Sequence, residues 1–230
     1  MKVNDRHVSF YYASDTDYGS IEIDPKKTAL LLVDLQHVFI TRPDIKNPGE
    51  RDILERKRWE PFYKNIDEVV VPNNKKLLAA FRSRGMEVCF AKIQCLKKDG
   101  RDRSLDHKAT GYNQLLLPPG DPRAEIVPEL APKEDEIVLS KTTDSAVTGT
   151  MLRLILRNMD IDTVVVTGVL TDQCVSGTVR TLADESFKVW LIEDACAAST
   201  EHIQSNELEI LNNIYCHVIT TEELLNALGQ

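Results

Sequence analysis

Three reactive side chains each follow an apolar run in this sequence. Asp34 ends the run LLVD, Lys141 follows IVLS, and Cys174 comes one short turn after VVVTG. A carboxylate, an ammonium and a thiol brought to one place make a working catalytic set. The carboxylate serves as general base, the ammonium steadies negative charge, and the sulfur attacks an electrophilic carbon. Taken singly they carry little: an aspartate after a strand is commonly a turn residue, a lysine commonly a surface charge. Cys174 has the more telling position. Val175, Thr178, Val179, Leu182 and Ala183 recur three and four apart, the helical period, so the cysteine falls in the first turn of a helix. Free N–H groups and the positive end of the helix dipole favour a thiolate there. Asp172 is expected to be the N-cap of that helix.

The elements that must position these groups read as alternating strands and helices. Residues 28–35 (TALLLVDL) form a continuous apolar run, the mark of a strand covered on both faces. Shorter runs of the same kind lie at 86–93, 136–139, 163–167 and 188–192, with a weaker one at 216–219. Helical patterns occupy 73–83, 146–159, 172–185, 201–213 and 222–228. The alternation predicts an α/β fold: a doubly wound, Rossmann-like, mostly parallel sheet of about six strands with helices on both faces. Ligands in such a sheet bind beyond the carboxyl ends of the strands, where Asp34, Lys141 and Cys174 would converge. Two long intervals, 40–71 and 94–135, interrupt the rhythm and are expected to wall a pocket.

Composition narrows the function classes. The 230 residues carry a formal net charge of -8, with basic residues dispersed, which argues against nucleic-acid or anionic-membrane surfaces. No apolar run approaches the roughly 18 residues of a membrane span. Five cysteines without a CxxC pair are no disulfide framework, so a reduced, cytoplasmic setting is expected. One domain over 1–230 is expected, with 1–25 as an N-terminal extension. His7, His37, His107, His202 and His217 are scattered, and Asp106–His107 stands as a lone pair of neighbours; no metal site and no cofactor are expected.

Four segments, LLVDLQHVF (31–39), SKTTDSA (140–146), TGVLTDQCV (167–175) and VWLIEDACAA (189–198), resemble the isochorismatase-like cysteine hydrolases. The resemblance implies that Asp34, Lys141 and Cys174 form that family's catalytic triad. It also implies a cis peptide between Val169 and Leu170, and an oxyanion held by the N–H groups of Leu170 and Cys174. Because Cys174 is present, the amidohydrolase branch is favoured: cleavage of a C–N bond in a small amide or N-carbamoyl compound through a thioester. The alternatives are a vinyl-ether hydrolase of the isochorismatase type and a catalytically silent binding member. Gln36, Phe39, Thr142, Thr171 and Gln173 flank the triad in sequence and are expected to contact substrate. Lys108, Tyr112 and Asn113 are candidate lid contacts, and Asn212 or Asn213 a candidate donor to a ureido group. A homo-oligomer, dimer or tetramer, is expected, with the aromatic N-terminal segment (Phe10, Tyr11, Tyr12, Tyr18) packing on another protomer.

Overall fold

The computed structural model describes residues 2–229. In chain order its principal elements are β1 (Thr28–Val33), α1 (His37–Ile40), α2 (Glu50–Asn65), α3 (Val71–Ser83), β2 (Glu87–Ile93), α4 (Leu105–Lys108) and β3 (Ile137–Lys141). There follow α5 (Leu152–Asn158), β4 (Thr163–Val169), α6 (Ser176–Asp184), β5 (Lys188–Ala197), α7 (Glu201–Leu211), β6 (His217–Ile219) and α8 (Thr221–Ala227). The six strands form one sheet in the order β3-β2-β1-β4-β5-β6, and every neighbouring pair is parallel. Strand order reverses between β1 and β4, which places the crevice for a ligand beside their carboxyl ends. No helix among the described residues is long and apolar enough to cross a membrane.

The apolar runs are buried on both faces because alternate residues serve different cores. Ala29, Leu31 and Val33 pack with Leu152, Val179 and Leu208, from α5, α6 and α7. Leu30 and Leu32 pack with Phe62, Leu77 and Leu224, from α2, α3 and α8. Each fully buried leucine contributes about 1.5–3 kcal/mol through apolar burial.

Several boundaries differ from the sequence expectation. The helix expected over 146–159 begins only at Leu152. Upstream, the Ser145 hydroxyl accepts from the N–H groups of Val147 and Thr148, and Thr150 donates to the Ala146 carbonyl. Such local hydroxyl bonds compete with helix formation, and Gly149 takes φ +76, outside the helical range. The helix expected from Asp172 starts at Ser176, preceded by a wide helical turn over Thr171–Val175. Asp172 therefore lies inside that turn, and the residue preceding it is Leu170. Helix α3 runs back through another wide turn, Ile66–Val70, into α2, so the interval 40–71 is largely helical. Strand β3 extends to Lys141, making the lysine the last residue of the strand.

The N-terminal extension packs partly on its own domain. The Asn4 side chain donates to the Val218 carbonyl, and the Arg6 guanidinium contacts Glu193 and Glu223. Asn212, offered above as a donor to substrate, is buried and holds this segment instead: its amide nitrogen donates to the Arg6 and His7 carbonyls. Phe10 and Tyr11 remain 89% and 82% exposed.

Candidate active site

Asp34 sits one residue past β1 with φ +54, a left-handed conformation uncommon for a residue with a side chain. Its N–H donates to the Ala91 carbonyl of β2, which pins the kink. The neighbouring strand makes room for it through Gly168, at φ +123: a Cβ there would lie 2.0 Å from the Val33 carbonyl oxygen. Only glycine permits β1 and β4 to approach so closely. From the far side of β2, the buried Lys141 reaches Asp34, with Nζ 2.8 Å from Oδ2. Asp34 Oδ1 accepts from the Ile93 N–H at 3.1 Å, and Lys141 also donates to the Thr143 carbonyl at 3.1 Å.

Cys174 lies in the wide turn that follows β4, 5% exposed. Its carbonyl accepts from the Thr178 hydroxyl at 2.6 Å, and the same hydroxyl accepts from the Ala146 N–H at 2.9 Å. One side chain thus ties the cysteine turn to the loop that follows Lys141. The Val169–Leu170 peptide bond is cis.

The charges form a coupled cluster. Burial pushes the Cys174 thiol well above its ordinary pKa; the Asp34 carboxylate adds to this, and Lys141 opposes it. Burial also raises the Asp34 carboxyl, against the pull of Lys141. For Lys141 burial acts downward, but the negative charges of Asp34 and Cys174 leave its pKa above the usual value. Burial thus holds the proton on the Cys174 sulfur, while Asp34 and Lys141 each favour the other's charged form.

Above these groups opens a cavity of about 1210 Å³. Both long intervals wall it, through Trp59 and Tyr63 from α2 and through His107, Tyr112 and Asn113 from 94–135. Asp34, Cys174, Val169, Leu170, Phe39 and Gln173 line it as well. Three residues expected to meet substrate stand elsewhere. Gln36 is fully buried, its amide nitrogen donating to the Ile93 and Ala124 carbonyls and its oxygen accepting from the Ile93 N–H. It braces the floor beneath Asp34 rather than a ligand. Thr171 is fully buried below the cavity, and Thr142 accepts from the Ser104 N–H through its carbonyl, outside the lining. Lys108 also stands outside it, bound to the Arg101 carbonyl. Asp172 is half-buried and occupies the cap position of neither the wide turn nor α6, where Leu170 and Val175 stand.

The residue missed in the sequence is Asp144. Its Oδ1 lies 3.7 Å from Cys174 Sγ and 3.1 Å from His107 Nε2. The pairing corrects the reading of Asp106 and His107 as isolated neighbours, since Asp106, His107 and Asp144 place donor atoms within 4.8 Å of one another. That set has the composition of a divalent-cation site. It fits one poorly: His107 Nε2 is engaged with Asp144, and the buried Nδ1 has no partner, whereas a ligating histidine usually donates its second nitrogen. One signal for Asp144 existed in the sequence: it shares the short segment 140–146 with Lys141.

Known proteins share this architecture. An isochorismatase family protein of Bacillus subtilis (strain 168), YrdC, is 28% identical over 214 residues, covering 87% of this chain and 96% of its own length. The ureidoacrylate amidohydrolase RutB of Serratia proteamaculans is 26% identical, over 91% of this chain and 86% of its own. A solved cysteine hydrolase from Pseudomonas syringae pv. phaseolicola superposes with a TM-score of 0.74 at 26% identity, covering 90% of this chain and 95% of its own. The Isochorismatase domain model matches residues 28–223, the span holding all six strands and the Asp34–Lys141–Cys174 cluster, and the chain belongs to the isochorismatase family.

Proposed function

We propose that this protein is a cysteine-dependent hydrolase that cleaves a C–N bond of a small amide or N-carbamoyl compound through a thioester. The observation that carries the reading is the buried 2.8 Å Asp34–Lys141 pair beside a nearly buried thiol at the floor of a cavity. A vinyl-ether hydrolase has no need of that thiol. The relative RutB, named as an amidohydrolase, supports the same bond type.

The chemistry follows from the protonation states. As Sγ of Cys174 attacks the carbonyl carbon, its proton passes to Asp34. Negative charge grows on the carbonyl oxygen, which the N–H groups of Leu170 and Cys174 receive. The C–N bond then breaks; the proton on Asp34 goes to the departing nitrogen, leaving a thioester. Water adds to the thioester, giving a proton to Asp34. The C–S bond breaks, the sulfur regains a proton, and the acid leaves. Lys141 holds the Asp34 carboxylate in place and keeps it ionised in spite of burial.

Ammonia or amine release from a panel of amides and N-carbamoyl compounds, with isochorismate alongside, tests this. Cys174→Ala should abolish turnover, and Asp34→Asn should cut it severely. A slow substrate should leave an acyl group on Cys174 visible by intact-mass measurement. Isochorismate turnover alone, retained in Cys174→Ala, would replace the proposal with the vinyl-ether reading.

A further inference from the structure

We infer that the substrate of this cavity carries a cationic nitrogen close to its scissile carbonyl, with Asp144 as the residue that receives it. The inference rests on the cysteine-hydrolase reading and names the substrate class for that site. The position of Asp144 carries a cost. Asp144 Oδ1 lies 3.7 Å from the attacking sulfur, and a carboxylate there opposes thiolate formation. The triad has no use for this charge: Asp34 already serves as base and is matched by Lys141. Asp144 is nevertheless clamped in place by His107 at 3.1 Å, which holds its carboxyl down to about 2. It is a fixed negative charge at neutral pH, half-exposed on the cavity side.

The other charges in the wall agree. Asp172 also lines the cavity, and its Oδ1 is buried without a hydrogen-bond partner. Two of the three lining arginines are paired with carboxylates. Arg180 is engaged with Glu207 at 3.1 Å and lies over Tyr215. Arg42 pairs with Glu60 and Asp67, and Arg56 donates to the carbonyls of Pro43 and Ile45. A substrate carboxylate near the sulfur would therefore meet the like charge of Asp144, with Arg42 and Arg180 already paired with carboxylates. An ammonium would be matched by Asp144.

Geometry limits where that nitrogen sits. An attacked carbon lies about 3–3.5 Å from the nucleophile in a reactive complex. A group touching Asp144 while the carbonyl faces Sγ is then within a few bonds of the carbonyl. Amides of short amino acids fit this description; ureido acids, with a carboxylate in its place, do not.

Three amides of matched length test the inference: β-alaninamide, butyramide and succinamate, which differ only in carrying a positive, neutral or negative end. Ammonia release should rank them in that order by kcat/KM, with the cationic amide ahead of the anionic one by about tenfold or more. Asp144→Asn should collapse the ratio. Equal rates, or preference for succinamate, would overturn the inference while leaving the hydrolase intact. A second arm does not depend on amide turnover. Methanethiosulfonate reagents carrying an ammonium, no charge or a sulfonate label the thiol, and the adduct is mapped to Cys174 by mass spectrometry. With rates divided by those for free cysteine, the cationic reagent should react about tenfold faster than the anionic one, and Asp144→Asn should bring the ratio towards one. If no amide is turned over, the hydrolase reading falls and this ratio decides the charge preference; a native ratio near one overturns it.

Discussion

Replacing Lys141 by methionine tests the energetic logic of the site. The ammonium and carboxylate are both about 1% exposed, 2.8 Å apart. At an effective dielectric of 20 their attraction is about 6 kcal/mol, much of it offset by the desolvation of both ions. Removing one partner is a different matter, because it leaves Asp34 buried with no countercharge, held by the Ile93 N–H and the Cys174 thiol. Breaking a buried pair in this way costs about 3–5 kcal/mol. Lys141→Met should lose that much stability in urea unfolding at pH 8. The sign of its pH dependence also follows. Burial raises the Asp34 carboxyl even with the lysine present, and more without it, whereas the unfolded chain titrates near 3.9. The folded variant thus binds a proton that the unfolded chain has released, so its stability should fall as pH rises from about 5 to 8. Asp34→Asn combined with Lys141→Met should recover most of the stability and none of the turnover. A Lys141→Met protein less than about 1 kcal/mol weaker than the parent, with no pH trend, would refute the buried pair.

Gly168→Ala should cost at least about 3 kcal/mol, or prevent soluble expression, because the added carbon meets the Val33 carbonyl at 2.0 Å; thermal unfolding would show it. Gln36→Leu should act on stability, by about 1–3 kcal/mol, because its backbone partners in the floor lose their bonds; a selective rise in KM at unchanged unfolding midpoint would instead return Gln36 to the substrate. Prolonged dialysis against a strong chelator should leave turnover unchanged, as His107 Nε2 is engaged with Asp144; a loss restored by added zinc or iron would make Asp106, His107 and Asp144 a metal site. The exposed Phe10–Tyr11 pair should be covered in an oligomer, and sedimentation showing a monomer at micromolar concentration would remove that expectation.

Much of the scaffold was legible because it rests on short-range chemistry. Runs such as 28–35 announce strands buried on both faces, and a glycine followed by a helical period announces the turn that holds Cys174. What periodicity cannot express is how a turn closes. Thr171–Val175 has the apolar spacing of a helix start, yet it winds as a wider turn, and the supposed cap Asp172 becomes part of a wall. The spacing after Lys141 looked helical, but the hydroxyls of Ser145 and Thr150 redirect the backbone until Leu152. Gln36 departs from the sequence expectation for a related reason. Proximity to Asp34 in sequence implied proximity to the ligand, although the kink at Asp34 turns the next residues down into the floor. Asp144 and His107, distant in sequence, meet only because both long connections fold over the same strand ends.

The electrostatics explain why a reactive cysteine here can stay quiet. A helix N-terminus and a lysine would by themselves favour a thiolate. Against them stand burial and the carboxylates of Asp34 and Asp144, and the balance lies with the thiol. Such a sulfur reacts poorly with adventitious electrophiles at neutral pH, since the thiolate is the nucleophile. On the proposed chemistry its activation comes with the substrate: a carbonyl brought against Sγ lets charge move to the oxygen as the proton moves to Asp34. A positive group set against Asp144 would cancel one of the two charges that hold the proton on sulfur. On the proposed chemistry, binding and activation are therefore one event, and the carboxylate that suppresses the resting thiol is the same group that selects the molecule able to release it.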